Sequence, residues 1–169
     1  MHNKIRNLVL SALIGAIYAA LTLTGAGISF SAVQFRFSEA LCVMPFFIPG
    51  SAWGLAVGCM FANIFGGYGI LDIVFGSLAT LIAGLLAARI RNRVLVPLPA
   101  VLLNAVIVGA VIAYSMAGAT AAFFGVWMWN MVTVGAGQIG ACYGLGLPLM
   151  YALPRIEPLK KYLNTEVKE

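Results

Sequence analysis

Arg36 and Glu39 are the residues of this chain best placed to do chemistry. They lie three apart in the run Val33-Gln34-Phe35-Arg36-Phe37-Ser38-Glu39-Ala40-Leu41. On a helix or tight turn that spacing lets them face the same side. Arginine donates in a fixed fork, a carboxylate only accepts, and the Gln34 amide does both. Together they can recognise a small planar polar ligand. Asp72 is the one other charge between Arg6 and Arg89. Ionisable residues at membrane depth are costly and mark functional sites by default. The competing reading is an ion pair that neutralises itself while fixing a helix start.

Further polar residues extend this set. Glu39 can accept two hydrogen bonds from a guanine-like edge, and Arg36 can donate to a carbonyl. Asp72 can pair with a cationic amine, or cap its helix. Trp127 or Trp129 can stack on a heteroaromatic ring, or anchor the chain at a membrane interface. Asn63 and Asn130 can reach a ligand, or only bond across helices. Gln138 adds one more neutral amide.

Several chemistries are excluded. The lone histidine, His2, leaves no Ser–His–Asp or Cys–His arrangement. There is no GxxxxGK[ST] loop, so the chain does not hold ATP in that way. Cys42, Cys59 and Cys142 are scattered through apolar stretches and read as small buried hydrophobes. No cluster of metal-ligating residues occurs, and no cofactor is implied. The expectation is a protein that is not an enzyme.

The elements that position these residues must be membrane helices. The chain is 62% hydrophobic and 9% charged, with a mean hydropathy of +1.00, whereas a soluble domain carries about 25% charge. At about 20 residues per span there is room for about six helices and little else. The net charge of +5 comes from basic groups at the ends of apolar runs. That pattern reports membrane orientation rather than nucleic-acid binding.

A single all-α transmembrane domain over 1–169 follows, with helices expected near 8–27, 38–48, 51–65, 70–88, 97–116 and 123–153. Pro45 and Pro49-Gly50 break the long uncharged stretch into two helices. Arg89, Arg91 and Arg93 fall on the cytoplasmic side only if the chain crosses twice between Glu39 and Gly66. Both termini are then cytoplasmic. Gln34, Arg36, Glu39, Asn63, Asp72, Asn130 and Gln138 gather in the outer half, as an outward-facing binding site requires and a continuous polar path does not. In the first helix Ala12, Ala16 and Ala20 recur every four residues, a face on which another helix can pack closely, within the chain or outside it.

The run Val33–Phe47, VQFRFSEALCVMPFF, closely resembles the signature of QueT-type S-components, the substrate-binding subunits of energy-coupling factor (ECF) transporters for queuosine precursors. The run Cys142–Leu149 resembles the end of that family's last helix, more weakly. The resemblance covers nearly the whole chain. It implies a six-helix fold in a bacterial plasma membrane. It also implies a transmembrane coupling subunit and two ATP-binding-cassette ATPases as partners, with the Ala12, Ala16 and Ala20 face against the coupling subunit. The implied ligand is 7-aminomethyl- or 7-cyano-7-deazaguanine. Relatives often carry a glutamate where this chain has Gln138, and a neutral amide cannot pair with a cation. The alternatives are an S-component for another vitamin or nucleobase, or a self-sufficient secondary carrier.

Overall fold

The structure is a computed structural model that describes residues 2–25, 35–66, 69–160 and 162–163. Gln34 lies outside the described residues. Among those described, the secondary structure is entirely helical. Six helical stretches carry the fold. They are α1 (His2–Thr24), α2 (Phe37–Phe47), α3 (Ser51–Gly66), α4 (Asp72–Ala87), α5 (Arg93–Ala117) and α6 (residues 123–155). The lengths differ for local reasons. Pro45 starts the last turn of α2, and the Pro49-Gly50 turn stops it, so α2 is short and opens as a tight 3₁₀ helix over Phe37–Val43. By contrast α1 has no glycine or proline before Gly15, and it runs unbroken from His2.

Small residues fix how the helices meet. Ser11 and Gly15 of α1 lie against Gly54 and Gly58 of α3 so closely that a Cβ on Gly54 would collide with the Ser11 carbonyl. The numbers rise together, so α1 and α3 run parallel. Along α4 they fall: Gly84 meets Ala52, and Gly76 meets Asn63. Gly109 of α5 meets Met131 of α6, and Gly135 meets Ala105, again antiparallel. Gly140 and Gly146 of α6 receive Phe35 and Ala40 in parallel order. Tyr18 and Thr22 of α1 meet Glu39 and Ser38 of α2 in antiparallel order, so the six stretches alternate in direction.

One end of the bundle is basic. The Arg6 guanidinium lies 6.0 Å from the centre of the Tyr162 ring, and Arg93 lies 5.8 Å from that of Tyr151. Arg89, Arg91 and Arg155 are exposed at the same end. The outside of the bundle is apolar, with Leu13, Trp53, Phe61, Phe65, Ile70, Val74 and Phe124 exposed. The inside holds small residues, large apolar ones such as Phe47, Leu55 and Met150, and a set of buried polar ones. An apolar outside with small residues at the crossings suits helices packed by close backbone approach in lipid. Two helices, Lys4–Thr24 and Arg93–Ala117, are long and apolar enough to cross a membrane, and three shorter apolar helices accompany them.

Candidate ligand site

Glu39 sits at the centre of a buried polar cluster built from four helices. The 3₁₀ opening of α2 brings Ser38 and Glu39 inward together, at 0% and 2% exposure. Tyr18, on the buried side of α1, donates its hydroxyl to Glu39 Oε1 at 2.6 Å. One turn further along α1, Thr22 Oγ1 lies 2.8 Å from the Tyr18 carbonyl and 2.7 Å from Ser38 Oγ. A hydroxyl has one proton, so Thr22 donates back to its own helix and accepts from Ser38. Two hydrogen bonds thus tie α1 to α2 across a dry interface, where such bonds hold a single geometry.

From α6, Cys142 completes the contact. Its thiol lies 3.4 Å from Gln138 Oε1 and 3.7 Å from the Glu39 carbonyl. Arg36 is buried at 4% exposure and lies within electrostatic reach of Glu39, Tyr18 and Asp72. Asp72 is buried at 7%. Asn63 donates to the Asp72 carbonyl at 2.9 Å, which ties α3 to the start of α4. The structure therefore brings Arg36, Glu39, Asp72, Asn63 and Gln138 into one connected region.

Trp127 and Asn130 stand apart from it. They precede Gln138 by two to three turns of α6. Asn130 donates to its own helix at Val126 O, 2.8 Å, and packs at the crossing with Gly109. The Trp127 ring N–H donates to the Val106 carbonyl of α5 at 3.1 Å, and its ring packs against Phe123 and Phe124. Both side chains are taken up by helix–helix contacts.

Wide π turns explain two of these bonds. They span Asp72–Gly76 in α4, Asn104–Val108 in α5 and Gly140–Gly146 in α6. A shift from i→i+4 to i→i+5 bonding drops a carbonyl from the regular ladder, and a buried carbonyl needs another donor. Asn63 serves Asp72 O, and Trp127 serves Val106 O. Turns of this kind concentrate at functional sites.

Below Glu39, towards the basic end, a small cavity of about 10 Å³ is lined by Tyr18, Cys42, Thr80, Gly84 and Ala100. It has room for about one water at most. A much larger apolar groove, about 790 Å³, runs along the outside between α1 and α3. Ala12 and Ala16 line it, with Ala19 rather than Ala20 as the third alanine; Trp53, Val57 and Phe61 form the opposite wall.

The family profile described as QueT transporter matches residues 8–155. The chain belongs to the QueT transporter family. The matched span covers the whole polar cluster, from Tyr18 to Cys142, and both walls of the groove. The family is one of transporters, which places the chain in a membrane. The chain is 34% identical over 82 residues to the queuosine precursor transporter QueT of Lactococcus lactis subsp. cremoris (strain MG1363). That match covers 47% of this chain and 48% of the relative, about half of each. No solved structure matches.

Reading the sequence for charge missed Tyr18, Thr22, Ser38 and Cys142. A signal for two of them was present. Ser11, Tyr18 and Thr22 recur at seven and four residues, on the side of α1 away from Ala12, Ala16 and Ala20. Polar tips on the buried side of a membrane helix need partners.

Proposed function

We propose that this chain is the substrate-binding subunit of an ECF-type importer. In this reading it captures a queuosine precursor, 7-aminomethyl- or 7-cyano-7-deazaguanine, from outside the cell. The observation that carries the reading is the buried Glu39 carboxylate, oriented by Tyr18 and within electrostatic reach of Arg36, in a chain of the QueT transporter family. The ligand class is supported by the relative's name, queuosine precursor transporter. A deazaguanine presents a ring N–H beside an exocyclic amine, and a carboxylate is the acceptor that matches both donors.

The proposed topology has six spans in the plasma membrane with both ends of the chain cytoplasmic. The basic end of the bundle supports that orientation. The site then opens on the outer side, above Glu39. The cavity below Glu39 has room for about one water at most, whereas a ligand pocket is ~300 Å³ or larger. The ligand therefore sits on the outer side of Glu39, among Arg36, Asp72, Asn63 and Gln138, with Gln34 beside Arg36 in the chain. Trp127 and Asn130 act as helix-packing residues in this reading, because their polar groups are engaged elsewhere.

The energy source is a transmembrane coupling subunit with two ATP-binding-cassette ATPases, since the sequence has no phosphate-binding loop of its own. The coupling subunit docks in the α1–α3 groove, where Ala12 and Ala16 allow close approach, with Ala20 beside it. Reconstitution in vesicles tests the reading. Uptake of a labelled deazaguanine is expected only with the coupling subunit, both ATPases and ATP inside. Uptake by this chain alone would replace the reading with a self-sufficient carrier.

A further inference from the structure

Two buried amide groups are left with unmade hydrogen bonds one turn above Glu39. Asn63 Oδ1 has no partner, although Asn63 is 0% exposed and its Nδ2 is fixed on the Asp72 carbonyl. Asn104 Nδ2 has none either, at 4% exposure. A buried polar group without a partner costs roughly 1–3 kcal/mol, so each native instance calls for an explanation.

Their positions supply one. The layer at Glu39 contains Cys59 of α3 and Thr80 of α4, which share a side-chain contact, and Ala100 of α5, which lines the same cavity as Thr80. One helical turn towards the opposite end from the arginines leads from Cys59 to Asn63, from Thr80 to Gly76 and from Ala100 to Asn104. The helices alternate in direction, so all three steps go the same way. Gly76 lies directly against the Asn63 amide, where a Cβ would come within 3.0 Å. The wide turn that Asn104 opens packs against the turn that contains Gly76. The side chain that carries the free acceptor and the turn that carries the free donor thus both border the Gly76 turn, above the carboxylate.

We infer that Asn104 Nδ2 and Asn63 Oδ1 read the edge of the purine-like ligand next to the one Glu39 reads, and so select the free base over its nucleoside. The inference rests on the deazaguanine reading above. Once Glu39 takes the ring N–H and the exocyclic amine, the neighbouring edge of the bicycle offers a pyrimidine ring nitrogen and the pyrrole N–H. The first is an acceptor for Asn104, and the second a donor for Asn63. In a nucleoside that pyrrole nitrogen carries the sugar and has no hydrogen. The amide loses its bond and meets a bulky group instead.

The test is a calorimetric titration of the purified full chain in detergent with three probes: 7-cyano-7-deazaguanine, its derivative methylated on the pyrrole nitrogen, and its ribonucleoside. The unmodified protein is expected to bind the free base and to bind each derivative about tenfold or more weakly. Asn104→Asp, which replaces the donor with an acceptor at nearly constant shape, is expected to weaken the free base by a similar factor. Equal affinity for the free base and the methylated derivative overturns the inference without touching the deazaguanine reading. It uses no variant, so a folding defect cannot imitate it. Failure of the free base itself to bind removes both.

Discussion

The α1–α3 seam and the cluster at Glu39 sit at two heights on the same face of α1 and are built on opposite rules. At the seam everything is small: Ser11, Gly15, Gly54 and Gly58 let two backbones touch, with no long side chain between them. At the cluster everything is polar and specific: Tyr18, Thr22, Ser38, Glu39 and Cys142 meet through directed hydrogen bonds. In lipid, apolar packing gives little preference for one neighbour over another, so shape sets the seam and hydrogen bonds set the cluster. The teaching of the pair is a division of labour along α1. Its buried side holds the carboxylate in place, while its other side borders the groove proposed for the coupling subunit.

That contrast breaks most easily at the seam. Gly54→Val places a branched side chain where Ser11 carbonyl already lies, and α1 and α3 must part. We expect a loss of about 3 kcal/mol or more and little folded protein, read as the unfolding midpoint in detergent. An unchanged midpoint would mean the seam is not close-packed. Next comes Glu39→Ala, which removes the acceptor from both Tyr18 and the ligand and leaves buried Arg36 with one fewer carboxylate. Ligand affinity should fall about 100-fold or more by calorimetry. Retained affinity would take Glu39 out of the site.

Ala16→Leu separates the two sides of α1. The side chain faces the groove, away from Tyr18, so affinity should stay within about twofold while ATP-driven uptake falls about tenfold or more. Normal uptake would sink the idea that the groove takes the coupling subunit. The smallest effect belongs to Trp127→Phe. It removes the bond to the Val106 carbonyl and should cost about 1 kcal/mol of stability, with affinity within about twofold. A large loss of affinity would return Trp127 to the ligand site.

Much of this was legible in the sequence, for identifiable reasons. Charge is so scarce that Arg36, Glu39 and Asp72 stand out, and all three are buried. The break at Pro49-Gly50 is a local signal, and it survives into the fold; the alanine spacing in α1 is local too, yet the third alanine on the groove is Ala19, not Ala20. Hydropathy treats Tyr18 as another large side chain; the spacing with Ser11 and Thr22 marks its face as polar, but only its partner across 21 residues gives it a role. Trp127 was open between ligand and membrane interface because its partner is a carbonyl released by a π turn in another helix. No spacing rule announces such a turn. Asn104 was visible as a polar residue in α5, but its unmade bond exists only in three dimensions.

The most direct test of the account is the binding of 7-cyano- and 7-aminomethyl-7-deazaguanine to the purified chain, beside Glu39→Gln. That variant keeps the shape of the side chain and turns one acceptor into a donor facing the ligand's own donors. The account predicts saturable binding of a deazaguanine by the unmodified chain, and a loss of about tenfold or more in Glu39→Gln with the unfolding midpoint nearly kept. Equal affinity in the two proteins would contradict the claim that the Glu39 carboxylate reads the ligand.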